Sequence, residues 1–278
     1  MAWLTVGEEN GIPIDLHYED YGDGRPVVLV HGWPLGGQAW EHQLPPLVDA
    51  GYRVITYDRR GSGRSAQPWH GYDYDTLAAD LHALITRLDL VDLALVSAST
   101  GSGQVARFVR TYGQDRLRRL VFVSAPPPYL RNSYDNPDGR FDDSAIEQLT
   151  SAIRQDRLAF LDHEIRTAFR AGAHDNLISD VQHAYHVSIA AADSPKATLD
   201  FLLASIRTDF RPDLPHITMP ALVVHGCDDA VFPAETPSHQ VHRSLHDSRL
   251  VVLPGAPHAL TITHPDVFNR TLLAFLND

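Results

Sequence analysis

The feature that most constrains this chain is an alternation of short apolar, β-branched runs with stretches of helical periodicity. "PVVLVHG" (Pro26–Gly32), "YRVITYD" (Tyr52–Asp58), "DLALVSA" (Asp92–Ala98) and "LRRLVFVSA" (Leu117–Ala125) read as buried strands. "AWEHQLPPLVDAG", "YDTLAADLHALITRLDL" and "GQVARFVRTYG" lie between them, with apolar residues at helical spacing and a glycine or short loop at the end. A strand that is apolar on both faces must be covered on both faces, so the pattern implies a mostly parallel sheet between two layers of helices. The opening segment, through "TVGEENG" and "IDLHYEDYG", reads instead as an antiparallel pair at one edge.

The alternation breaks after Pro126-Pro127-Pro128. From there to about residue 214 the patterns are helical: Ser144–Arg154, Arg157–Phe169, Leu177–Ala190 and Ala197–Ser205. Strands resume with "PALVVHG" (Pro220–Gly226) and "SRLVVLPG" (Ser248–Gly255), and a helix over Pro265–Leu276 closes the chain. The expected architecture is therefore an α/β core made of residues 1–126 and 215–278, interrupted by a helical cap at 127–214. With 278 residues, 44% of them hydrophobic, the chain can bury a core of that size.

"LVSASTGSGQ" (Leu95–Gln104) joins one of these strands to the next helix. Its "GSGQVA" matches a dinucleotide-binding glycine pattern, but that reading needs an acidic residue about 20 positions on, and the next strand, "LVFVSA", has none. The second reading is a nucleophilic serine on a tight strand-to-helix turn. Such a turn brings two backbones together, so the residues two before and two after the nucleophile must be small. Ser97 is framed by Leu95 and Ser99, and Ser102 by Thr100 and Gln104; only Ser99, between Ser97 and Gly101, satisfies both sides. A plain helix N-cap serine stays open on this segment alone.

A serine hydroxyl needs a histidine to take its proton, and that histidine needs a carboxylate. In doubly wound sheets these groups sit beyond the carboxyl ends of strands. "VVHGCDD" offers Asp228 and Asp229 there, and "VVLPGAPHAL" offers His258. The loop after "VVLVHGW" can contribute the Trp33 N–H to an oxyanion, with the Thr100 N–H as the other donor.

The order Ser, Asp, His and the segments "HGWPLGGQAWEHQ", "GYRVITYDRRGSGRS", "GYDYDTLAADL", "DNPDG", "ALVVHGCDD" and "GAPHAL" resemble the α/β-hydrolase superfamily. The closest likeness is to its cofactor-free haloperoxidase, arylesterase and lactonase branch. The resemblance implies an eight-stranded, mostly parallel sheet with a helical cap and a Ser99/Asp229/His258 triad, Asp229 being selected over Asp228 by the family's H-G-x-x-D pattern. It also implies cleavage of small carboxylic esters or lactones through an acyl-enzyme, without cofactor. Peroxide in place of water would give a peroxy acid that oxidises halide, a side activity associated with a proline at the place of Pro34. Amide or γ-lactam cleavage, or a non-catalytic small-molecule receptor, are the alternatives on the same scaffold.

The chain departs from the family at three places: Ser97 and Ala259 stand where glycine is usual, and Thr100 where methionine is common. These bear on substrate preference. Dehalogenases and epoxide hydrolases of the superfamily use aspartate where Ser99 stands, and some hydroxynitrile lyases have lysine where Ala259 stands. Here the only lysine is Lys196, in the expected cap. Tyr129, Tyr134, Phe160 and Tyr185 are candidate pocket aromatics, Tyr129 chief among them.

A formal charge of −12 disfavours a nucleic-acid partner. No apolar run reaches membrane-spanning length and "MAWLTVGEENG" has no basic leader, so a cytoplasmic protein, with homo-oligomers open, is expected. Sixteen histidines raise the question of a metal. His239, His242 and His246 share a helix face, but zinc helices favour an i, i+4 pair, and no metal is expected. His31 and His225 are expected to bond near the site, and Cys227 to be a buried, inert thiol.

Overall fold

The computed structural model describes residues 2–170, 177–233 and 237–278. Its strands are β1 (Ala2–Glu9), β2 (Ile12–Tyr21), β3 (Arg25–Val30), β4 (Tyr52–Tyr57), β5 (Leu93–Ala98), β6 (Leu117–Val123), β7 (Ala221–Gly226) and β8 (Ser248–Leu253). They form an eight-stranded sheet in the order β1-β2-β4-β3-β5-β6-β7-β8. β2 runs antiparallel to both β1 and β4, and all pairings from β4 to β8 are parallel.

The helices are α1 (Leu44–Asp49), α2 (Tyr74–Arg87), α3 (Gly101–Tyr112), α4 (Asp143–Gln155), α5 (Arg157–Phe169), α6 (Asp180–Ala191), α7 (Pro195–Arg207), α8 (Pro237–Ser244), α9 (Leu260–Thr263) and α10 (Pro265–Asn277). Alternate strand residues feed opposite layers. Val28 and Val30 of β3 pack with Leu81, Leu84, Val105 and Phe108 of α2 and α3. Val27 and Leu29 join Leu47 of α1 and Phe268, Leu272 and Phe275 of α10 on the other face. Each such fully buried side chain contributes roughly 1.5–3 kcal/mol of transfer free energy. This two-sided burial is why the strands read as continuous apolar runs.

Helices α4 to α7 lie between the adjacent strands β6 and β7. Each starts on a short polar residue whose side chain accepts the N–H three positions on: Asp142 from Ala145, Asp156 from Ala159, Ser179 from Gln182, and Ser194 from Ala197. The Ser179 cap corrects one boundary. Helical spacing begins at Leu177, but extended backbone at Ser179 starts α6 at Asp180. The insertion packs down through two clusters. Leu161, Ile165 and Phe169 of α5 meet Ile262 of α9, with Trp33 and Leu35 against them. Ala197 and Phe201 of α7 meet Tyr72, Tyr74 and Leu77. The carboxyl ends of β3, β5, β7 and β8 therefore open under a helical roof.

Candidate active site

Ser99 stands in the turn between β5 and α3 with φ of 48°, a left-handed conformation costly for a side-chain-bearing residue. The turn is held by hydrogen bonds from Ser99 N to Val123 O (2.8 Å) and from Ser102 N to Ser99 O (2.9 Å). The two rejected serines lie beneath it. Ser97 donates to Val121 O at 3.1 Å and its Oγ is 3.3 Å from that of Ser102, so a serine is accommodated where the family favours glycine. Gly101 has no such latitude. A Cβ there would meet His31 O at 2.8 Å and Val30 O at 2.9 Å, both backbone atoms. Gly101→Ala is therefore expected to destabilise the fold by about 1–3 kcal/mol. A urea midpoint unchanged from wild type would contradict that close approach.

The Ser99 Oγ lies 2.9 Å from His258 Nε2, and His258 Nδ1 lies 2.8 Å from Asp229 Oδ2. An ionised carboxylate only accepts, so Nδ1 carries the ring proton and Nε2 presents its lone pair to the serine hydroxyl. Asp229 is held on every side. Its Oδ1 accepts from the backbone of Val231 (2.8 Å) and Phe232 (2.7 Å), and its Oδ2 also lies 3.1 Å from His225 Nε2. Burial alone would raise this carboxyl, but His258 and His225 beside it hold it well below the usual carboxylate range. His225 Nε2 is also 2.8 Å from Phe232 O, so its N–H serves both oxygens and fixes the loop that carries Asp229. Asp228 instead receives Cys227 Sγ at 2.9 Å. That thiol is exposed rather than buried as expected, because the loop after β7 turns it outward, and its bond to Asp228 raises its pKa.

The two expected oxyanion donors flank Ser99. The Thr100 N–H makes no hydrogen bond with a described residue, whereas the Trp33 N–H donates to Thr100 Oγ1 at 2.9 Å. The Trp33 N–H is thus already engaged by the Thr100 hydroxyl, a bond not expected from the sequence. The loop is braced from behind. Arg59 N donates to His31 Nε2 at 3.1 Å, which leaves the proton on Nδ1 to bond Gly32 O at 2.9 Å. Burial, with the Arg59 charge beside it, holds His31 neutral. From above, Trp33 Nε1 donates to Thr198 O of α7 at 3.1 Å.

Ser99 and His258 open into a cavity of about 200 Å³, walled largely by apolar side chains. Pro34 and Ala259 line it, and the Trp33–Pro34 peptide bond is cis. Tyr129 does not. Its ring lies under the Arg211 guanidinium, 5.0 Å from the charge, and the next residue, Leu130, faces the cavity instead. Of the other candidate aromatics only Phe160 lines it; Tyr134 is fully exposed and Tyr185 packs on His186. Phe141, Glu164, Phe169 and Phe232 are wall residues that sequence reasoning missed. A signal existed for one of them: Phe160, Glu164 and Ala168 recur every four residues, on one face of α5.

Among the described residues, no three His, Cys, Asp or Glu side chains are placed to hold a metal ion. His242 Nδ1 is instead 2.7 Å from Ser248 Oγ. No helix among them is long and apolar enough to cross a membrane.

Fold and site geometry thus define a class: the chain belongs to the α/β-hydrolase fold family, whose model matches residues 25–265. Within it, the chain is similar to proteins named as non-heme haloperoxidases or as a bromoperoxidase. A bromoperoxidase structure from Bacillus anthracis superimposes with a TM-score of 0.95 at 48% identity, covering 100% of this chain and 99% of the other. The non-heme chloroperoxidase CPO-A1 of Kitasatospora aureofaciens is 40% identical over 95% of this chain and 96% of its own. A bifunctional esterase/perhydrolase of Acinetobacter calcoaceticus is 32% identical, over 95% and 96% respectively.

Proposed function

We propose that the protein is a serine hydrolase of small carboxylic esters or lactones, working through an acyl-enzyme on Ser99. The observation that carries this reading is the continuous hydrogen-bonded line Ser99 Oγ, His258 Nε2, His258 Nδ1, Asp229 Oδ2, opening into a cavity sized for a small acyl group. Ser99 Oγ attacks the carbonyl carbon while His258 Nε2 takes its proton, and the imidazolium that forms is stabilised by Asp229. The carbonyl oxygen becomes an oxyanion held by the Thr100 N–H and by the Trp33 N–H, which leaves Thr100 Oγ1 to meet it. His258 then protonates the departing alkoxide, and the C–O bond breaks. Water, deprotonated by His258, attacks the acyl carbon and releases the acid with Ser99 restored.

Hydrogen peroxide in place of that water gives a peroxy acid by the same proton transfers. The position of Pro34 on the cavity wall favours this second outcome, as do the names borne by the relatives. Matched aryl ester, lactone and anilide substrates, each with and without peroxide, test the reading. Turnover of ester or lactone is expected, with peroxy acid formed when peroxide is added. Cleavage of the anilide alone would overturn it.

Ala259 lines the same cavity. Ala259→Gly is expected to raise kcat/KM for branched acyl esters relative to acetate by about 3- to 10-fold, since one methylene of pocket fit is worth at least that much. An unchanged ratio across an acyl series would contradict this role.

A further inference from the structure

Among the described residues, Glu164 is the one acidic side chain lining the candidate cavity. It sits in the middle of the cavity-facing strip of α5, one turn after Phe160 and one before Ala168, and is half-buried. That strip is tied to the site, because Ala259 N, next to His258, donates to Ala168 O at 2.9 Å. Among the described residues the Glu164 carboxyl makes no hydrogen bond or ion pair, although side chains such as Arg211 and Arg60 on this molecule are fully engaged by acids. The same cavity is lined, among aliphatic side chains, by the rings of Trp33 and Phe160, with centroids 6.3 Å apart, and of Phe141 and Phe232. A lone carboxylate among aromatic faces is the chemical complement of an organic cation, whose charge meets the acid and whose methyl groups meet the rings.

We propose that Glu164 is a specificity-determining residue that selects esters carrying an onium or ammonium group and disfavours anionic ones. This rests on the esterase reading above. The charged or titratable groups facing Glu164 are His163 on its own helix, Arg140 from the segment before α4, and His258 from the loop after β8. Arg140 also lines the cavity, but its guanidinium is occupied, donating to Val231 O and lying over the rings of Phe141 at 5.5 Å and Phe232 at 5.6 Å. Burial pushes the Glu164 carboxyl up against the pull of all three. Its charge, and with it the selectivity, is therefore gained as pH rises past the ordinary glutamate range.

The test compares butyrylcholine with 3,3-dimethylbutyl butyrate, a pair that differs by one charged nitrogen, by the ratio of their kcat/KM values. Taking the ratio within one preparation cancels any loss of folded enzyme. The wild type is expected to favour the cation, with a ratio that rises with pH. Glu164→Gln is expected to lower the ratio about tenfold and flatten its pH profile. A wild-type ratio of one or less, or a ratio unmoved in Glu164→Gln, overturns the proposal. Calorimetric binding of butyltrimethylammonium gives a readout free of turnover, expected to weaken about tenfold in the same variant. Equal affinity overturns the proposal even where ester hydrolysis is intact. Failure to hydrolyse either ester, with the binding difference present, counts against the esterase reading alone.

Discussion

Ser99→Ala is expected to lower kcat for p-nitrophenyl acetate by at least about 10⁴-fold while leaving KM within a small factor. In the proposed reaction the hydroxyl oxygen bonds to the substrate, whereas the cavity walls and the two proposed oxyanion donors stay in place. Residual activity should reflect binding and oxyanion contacts alone. The variant should also be no less stable than wild type. The strained φ of 48° is retained, but the hydroxyl's only hydrogen bond within the described residues is the one to His258. Turnover and a urea melt measured on the same preparation separate the two effects. Undiminished turnover in a folded variant would place the nucleophile elsewhere.

Asp229→Asn is expected to cost about 10⁴-fold in kcat, through a proton rather than through lost shape. The amide oxygen can still accept from Val231 and Phe232, and the His225 N–H, losing Oδ2, keeps its bond to Phe232 O, so the loop keeps its form. The amide nitrogen then faces His258 Nδ1, which must become an acceptor. The ring proton moves to Nε2, and Nε2 can no longer accept from Ser99. A pH signature accompanies this. Because the Asp229 carboxyl is held below the usual range, it stabilises the folded state above the unfolded carboxyl's pKa, and that contribution fades as pH falls through the folded value. Asp229→Asn should lose this part of the acid sensitivity. A variant with wild-type kcat would mean that Asp229 does not set the tautomer of His258.

The fold was legible because burial on both faces leaves its mark in the inner strands: β3 to β7 coincide with apolar runs, the edge strand β8 with an apolar run that is only partly buried, and the antiparallel β1–β2 edge with an interrupted pattern. Ser99 could be singled out by steric demand, since Gly101 must be small against the Val30 and His31 carbonyls. His258 followed from where a strand ends, whereas the strand end before it left Asp228 and Asp229 open and only the family's H-G-x-x-D pattern selected Asp229. What could not be read was anything that depends on how the insertion docks. Leu130 rather than Tyr129 faces the cavity because Arg211 draws the tyrosine ring outward. Glu164 looks like an ordinary surface acid until α5 is seen packed on the loop after His258. The bond between Trp33 N and Thr100 Oγ1 joins residues 67 apart, and no local pattern encodes it.

In the proposed reaction the acyl carbon of the substrate becomes covalently attached to Ser99 and is then released. Rapid mixing with p-nitrophenyl acetate, followed by acid quench, intact-protein mass measurement and peptide mapping, tests it most directly. The expected result is one acetyl group per chain, mapped to Ser99, that disappears as sustained p-nitrophenol release exhausts the substrate. Sustained release with no acetyl on Ser99 at any time, or an acetyl group on another residue, would contradict it.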